Sequence, residues 1–239
     1  MREEWHHAAR TNPQKLKGEH RAILPTACAA LHAVALIMLR FYFGVMGSSK
    51  SAMLLMQRYN YRVQGYSCAL IKPAIDTRKG VDIVHSRIGL EGHADIVLAP
   101  DHSVREQLLW LETRKPNPLE HVFIDEAQFL TESQVVELAD MSDKLEIHCY
   151  GLKTDFLGNF FPGSSALLRF ADSFTELEQS LCWCGAKATM NTRVDRKGRV
   201  VKEGEQVLID TGRKEEVITY IGLCYKHWKL GKSGLNGNT

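Results

Sequence analysis

The stretch FGVMGSSKSAMLL, residues 43–55, decides how the chain is read. It nearly matches the phosphate-binding pattern G-x-x-x-x-G-K-[ST]. Gly44, Lys50 and Ser51 fall in register, and Ser49 stands where the pattern has glycine before lysine. Upstream, LRFYFG (39–44) is short, apolar and aromatic, as a buried parallel strand should be. Downstream, SAMLLMQRYNYRVQ carries apolar residues at helical spacing up to Gly65. The loop of Gly44, Val45, Met46, Gly47, Ser48 and Ser49 therefore joins a strand to a helix N-terminus, where backbone N–H groups and the helix dipole favour an anion. Lys50 can reach phosphate oxygens there, and the Ser51 hydroxyl can take Mg²⁺. The plain alternative is an ordinary strand–turn–helix join. Ser49 either sits at positive φ, where glycine would relieve strain, or keeps a right-handed conformation and caps the helix.

A second stretch supports the phosphate reading. HVFIDE (121–126) is an apolar strand ending in Asp125 and Glu126. An acid at the carboxyl end of such a strand can hold the water shell of a metal, and its neighbour can act as a general base. Between and beyond these stretches, further apolar runs alternate with amphipathic ones: YSCALIKP, ADIVLAP, SVREQLLWLET and KLEIHCYGL. TESQVVELADMSD opens with a capping box of Thr131 and Gln134. The expected fold is α/β, a parallel sheet with helices on both faces. IDTRKGVDIVHSRIGLEGH (75–93) reads as a polar loop.

After about residue 172 the pattern changes to short β-like pieces around a Cys/His cluster. Cys182-Trp-Cys184 and Cys224-x-x-His227 supply four N/S ligands in two short groups, the donor set of a closed structural zinc site. With six cysteines, single or clustered, the pattern points to a reducing compartment and the cytoplasm rather than a disulfide framework. The chain of 239 residues has a net charge of +2, and the first 37 residues hold five Lys/Arg against three Glu, so the body is balanced. A neutral body argues against stable nucleic-acid binding. Residues 23–39 are apolar after a basic start, the outline of a signal peptide, but they run straight into the strand that feeds the phosphate loop. The expectation is that 1–37 is a non-native or disordered extension, with Met38 the working start and no membrane span. The remaining divisions are a nucleotide-binding domain (38–171), a zinc module (172–230) and a flexible tail (231–239).

Taken in order, RFYFGVMGSSKS, KPAIDTR, SRIGL, FIDEAQFL, YGLKTDFLGNFFPGS, ADSFTELEQSLCWCGAKATMNTR, GEQVLID and TYIGLCYKHW resemble the cellular-type (type II) thymidine kinases, bacterial ones in particular. The resemblance spans about residues 38–230. It implies a RecA-like P-loop domain with a small zinc-bound lid, or lasso, and ATP-dependent phosphorylation of thymidine with Mg²⁺. It implies Glu126 as the base for the sugar 5′-hydroxyl. Lys50, Ser51 and Asp125 would be the ATP–Mg²⁺ groups, and Arg78, with Asp76 beside it, would serve the transferring phosphoryl. Met46, Phe129, Leu152, Phe156 and Phe161 match the walls around thymine. Ile209, Asp210 and Thr211 fall on the lid strand, and Tyr220 falls four before Cys224. The family's members are usually homotetramers. The alternatives are a zinc-containing P-loop ATPase or binding module, and a deoxynucleoside kinase of broader base preference.

Overall fold

The computed structural model describes residues 38–77, 80–206 and 219–238. The reading of residues 1–37 lies outside them, as do Arg78, Ile209, Asp210 and Thr211. In chain order the elements are β1 (Leu39–Phe43), α1 (Lys50–Val63), β2 (Cys68–Pro73), β3 (Ile83–His85), β4 (Glu91–His93), β5 (Ile96–Leu98) and α2 (Val104–Glu112). Then come β6 (His121–Ile124), a 3₁₀ turn (Ala127–Phe129), α3 (Glu132–Met141), β7 (Glu146–Gly151) and α4 (Pro162–Phe170). The last are β8 (Ser173–Glu176), β9 (Met190–Val194), β10 (Val200–Val201), β11 (Thr219–Leu223) and α5 (Tyr225–Leu230).

Six strands make the main sheet in the order β5-β2-β6-β7-β1-β8, and every pairing is parallel. Period-2 alternation divides the strand residues between two faces. Leu39, Phe41, Ile71, Val122, Ile124 and Ile147 pack with α2, α3 and α4 through Leu108, Val135, Leu138 and Leu167. Leu70, Phe123 and Tyr150 face the other way, onto Leu54 of α1 and Val84 of the β3–β4 hairpin. Each fully buried side chain of this kind contributes roughly 1.5–3 kcal/mol, so both faces are anchored. Because all six strands run the same way, the loops after β1, β2, β6 and β7 gather at one edge, where open α/β sheets bind ligands.

Several details differ from the sequence reading. The segment 75–93 is not loop throughout; β3 and β4 pair as an antiparallel hairpin. A helix, α4, starts at Pro162, where proline suits the first turn because its missing N–H has no helical partner. Ser173–Glu176 lies past the boundary expected at residue 171, yet it pairs with β1 as the edge strand. The smaller sheet, β10-β9-β11, is antiparallel. Residues 231–238 are not a loose tail. Asn238 Nδ2 donates to the carbonyls of Gly198 and Gly231, and Ser233 is buried.

Under α1 lies a cluster of rings. His148 on β7 stacks on Phe123 at 4.6 Å and on His121 at 5.8 Å, and Tyr61 leans on both histidines. Neither ring nitrogen of His148 has a hydrogen-bond partner among the described residues. Burial, then His121 and the Arg40 charge, hold its imidazole down to about 3. A base depressed in the fold keeps its stability above the unfolded value near 6.5 and loses it as pH falls toward the folded one. The loss is at most about 1.4 kcal/mol per pH unit. His148→Phe removes that proton uptake. Urea denaturation of parent and variant at several pH values below 6.5 should show a shallower fall for the variant, with no loss at neutral pH. Equal slopes would clear His148 of the effect.

Candidate active site

The phosphate loop is built by space and by strain. A Cβ on Gly44 would lie 2.3 Å from Ser48 Oγ and 2.9 Å from the Leu177 carbonyl, so only glycine fits. Gly47 has φ 83°, and Ser49 follows at φ 62°, ψ 23°, left-handed, with no side-chain hydrogen bond capping α1. Of the two readings of Ser49, positive φ is the one realised. Lys50 curls back over the loop: its Nζ donates to the Val45 carbonyl at 2.9 Å and lies 3.3 Å from Ser48 Oγ. Asn191 of β9 holds the loop from the other side. Its Oδ1 accepts from Met46 N at 2.7 Å, and its Nδ2 donates to the Thr154 carbonyl at 2.6 Å.

Two strands away, Asp125 follows β6. Ser51 Oγ donates to its Oδ2 at 2.9 Å. Burial, and then the charge of Glu126, push the Asp125 carboxyl well above the usual carboxylate range. A cation beside it would reverse that. The pairing of a helix-N-terminal hydroxyl with a buried carboxylate is an oxygen donor set suited to Mg²⁺. Glu126 stands at φ 49°, ψ 38°, another left-handed non-glycine residue, and its side chain meets Gln128 Nε2 at 2.5 Å.

Two cavities open at this edge. One, of about 370 Å³, is lined by the phosphate loop, Lys50, Ser51 and Asp125, with Lys72, His85 and Arg87 opposite. The other, of about 90 Å³, is mostly apolar; Met46, Phe129, Leu152, Phe156, Phe161 and Tyr220 all line it. Five of them are the wall residues expected from sequence, and Tyr220 joins them. Three residues border both cavities: Met46, Asp76 and Glu126.

Some participants had no role in the sequence reading. Lys72 is buried, donates to the Gly80 and Ile83 carbonyls, and lies 3.4 Å from Asp76. It thereby holds the start of the hairpin over the loop. Arg193, also buried, donates through Nε and Nη2 to Tyr220 Oη and through Nη2 to the Glu205 carbonyl. Its guanidinium lies 3.7 Å from the centre of the Phe156 ring. No carboxylate pairs with it among the described residues; the phenol, the carbonyl and the ring take its charge instead. Polar residues buried within a short strand, Asn191, Thr192 and Arg193 of MNTRV, are the feature that could have marked it.

The metal cluster assembles as expected. The Sγ atoms of Cys182, Cys184 and Cys224 and a ring nitrogen of His227 all lie within 4.8 Å of one another. His227 Nδ1 is 3.4 Å from Cys182 Sγ and 3.3 Å from Cys224 Sγ. Bonds of about 2.0–2.3 Å to zinc give tetrahedral edges of roughly 3.5–3.8 Å, so the set fits the ion. Burial opposes ionisation of the Cys182 thiol. Hydrogen bonds from the Cys184 and Cys224 backbone and from His227 outweigh it and pull the thiol down to about 6.

The thymidine kinase family model matches residues 37–228. The chain belongs to the thymidine kinase family. It is 45% identical over 199 residues to the thymidine kinase of Legionella pneumophila (strain Lens), covering 82% of this chain and 91% of that one. Against the thymidine kinase of Rhodopirellula baltica it is 44% identical over 193 residues, covering 80% and 87%. Against that of Yersinia pseudotuberculosis it is 40% identical over 202 residues, covering 80% and 94%. No helix among the described residues is long and apolar enough to cross a membrane.

Ser49 offers a direct check on the loop. A left-handed non-glycine residue costs of order 1–3 kcal/mol, while glycine adds about 0.4–1 kcal/mol of unfolded-state freedom. Ser49→Gly should therefore change stability by between nothing and about +2.5 kcal/mol and leave ATP affinity equal or better. Chemical denaturation and ATP titration test this; a destabilised variant would mean that the serine side chain holds the loop.

Proposed function

We propose that the protein transfers the γ-phosphoryl group of ATP to the 5′-hydroxyl of thymidine, with Glu126 as general base. The observation that carries this is the position of Glu126 on the border of the two cavities. The larger holds the groups suited to phosphates and the smaller the apolar walls suited to a pyrimidine ring. A hydroxyl reaching out of the small cavity meets the Glu126 carboxylate before it meets a phosphate.

The step balances simply. Glu126 accepts the hydroxyl proton, the 5′-oxygen bonds to the γ-phosphorus, and the bond to the β–γ bridging oxygen breaks, releasing ADP. Lys50 leaves the Val45 carbonyl and the Ser48 hydroxyl to pair with phosphate oxygens, and the loop N–H groups surround the rest. Ser51 and Asp125 would hold Mg²⁺, which supplies charge neutralisation on the phosphates. Arg78 is assigned a share of the transferring charge, and Asp76 is a candidate partner for the sugar or the metal's waters. Met46, Phe129, Leu152, Phe156, Phe161 and Tyr220 enclose the base, and Ile209, Asp210 and Thr211 contribute to the lid. Cys182, Cys184, Cys224 and His227 bind zinc in a structural role, since all four positions of a tetrahedron are taken. A homotetramer in the cytoplasm, without membrane or nucleic-acid partners, completes the reading.

Glu126→Gln keeps size but cannot take a proton. Turnover of radiolabelled thymidine with ATP should fall about 10²–10⁴-fold, with thymidine binding retained. Normal turnover would remove Glu126 from the chemistry. Equal turnover of other pyrimidine and purine deoxynucleosides would widen the substrate class.

Zinc has its own test. Elemental analysis should find one zinc per chain, and Cys224→Ser should lower that content and raise the thymidine KM. Protein free of zinc with unchanged kinetics would exclude the metal.

A further inference from the structure

The Glu126 carboxylate is held from two residues along the chain. The Gln128 side chain is 1% exposed. Its Nε2 donates to Glu126 Oε2 at 2.5 Å, and its Oε1 accepts the backbone N–H of Leu152 at 3.0 Å. The second bond settles the orientation of the first. A backbone N–H can only donate, so the amide oxygen must face Leu152 and the NH₂ must face Glu126. The residue is closely packed on two sides. A Cβ on Gly151 would lie 2.8 Å from Gln128 Oε1 and 3.0 Å from Gln128 N, and one on Gly163 would lie 2.9 Å from the Gln128 carbonyl. The end of β7 and the start of α4 thus each place a glycine against this residue.

We propose that Gln128 is a positioning residue for phosphoryl transfer, anchoring the Glu126 carboxylate where it borders both cavities. This rests on the reading of Glu126 as general base. Three points carry it. A glutamate side chain has several free rotors, and the Gln128 contact fixes them where Glu126 borders both cavities. A hydrogen bond from the amide to a carboxylate oxygen is short and directional. A neutral amide makes it without adding charge beside Asp125, where a lysine or arginine would bind the carboxylate as an ion pair. The anchor also transmits geometry. Leu152 is a wall of the nucleoside cavity, and its N–H fixes the amide that fixes the base, so the base and the wall keep one spacing.

The test compares purified full-length Gln128→Glu, Gln128→Met and Glu126→Gln with the parent, by steady-state kinetics with thymidine and ATP. Gln128→Glu has nearly the same shape and still accepts from Leu152, but it has no NH₂ to offer. If only shape mattered it would keep its rate. The expected result is a fall in kcat of about 10–100-fold for both Gln128 variants, with thymidine KM within about twofold of the parent. A parental kcat in Gln128→Glu, or a loss confined to KM, overturns the inference. An active Gln128→Glu beside an inactive Glu126→Gln sinks only the role of Gln128; an active Glu126→Gln sinks the base itself.

Discussion

The site hangs on one hydrogen bond, from Ser51 Oγ to the buried Asp125 carboxylate at 2.9 Å. It ties the first turn of α1 to the end of β6 across the intervening strand β7. An ionised carboxylate deep at a sheet edge is expensive, and one hydroxyl compensates only a fraction of the desolvation. Asp125 responds by holding its proton more tightly than usual, Glu126 adding to the effect of burial. On the proposed reading, this is a group that a divalent cation would stabilise. Lys50, close enough to lower Asp125 somewhat, donates to the Val45 carbonyl.

Strain is concentrated in the same few ångströms. Of the described non-glycine residues, three have positive φ, and two of them, Ser49 and Glu126, belong to the site. At about 1–3 kcal/mol each they take a sizeable part of a typical stability of 5–15 kcal/mol. The surrounding elements over-determine both. Ser49 sits between the turn at Gly47 and the helix start, and Glu126 sits between a fully buried strand and a 3₁₀ turn. The left-handed turn at Glu126 swings its side chain off the line of β6 and toward the border of the two cavities. Nothing in the structure explains why residue 49 is serine where glycine would meet the same turn.

How much was legible follows from the range of the forces involved. Strand–helix alternation was readable because buried parallel strands are continuous apolar runs and the covering helices are amphipathic. The loop, the paired acids and the metal ligands were readable because their chemistry is local. The hairpin β3–β4 was not: its strands have three residues each, and the second, Glu91–His93, is polar or glycine throughout. α4 was missed because Pro162-Gly163 reads as a breaker. In the fold, Pro162 occupies the first turn, and Gly163 is required because a Cβ would lie 2.5 Å from the Ala127 carbonyl. Asn191, Arg193 and Gln128 act through contacts that spacing does not encode. Asn191 reaches Met46 across 145 positions of sequence. The last residues looked like a tail because their hydrogen bonds go to Gly198, far back along the chain.

The smaller sheet is more than an appendage for metal. In its ladder Tyr220 pairs with Arg193 and Gly222 with Asn191. The first pair borders the small apolar cavity, where Arg193 holds the Tyr220 hydroxyl and lies over Phe156. The second pair borders the phosphate loop, where Asn191 accepts from Met46 and a Cβ on Gly222 would lie 3.0 Å from Val45. One β-ladder thus touches both the small apolar cavity and the phosphate-type loop. Cys182 and Cys184 lie just before β9, and Cys224 and His227 follow β11, so the metal cluster closes the same ladder at one end. A four-ligand tether there would reduce the freedom of both strands at once. Transfer between two substrates depends on their separation to within a fraction of an ångström. On the proposed reading, a metal cluster away from both cavities would act on rate by fixing that separation, without touching either substrate.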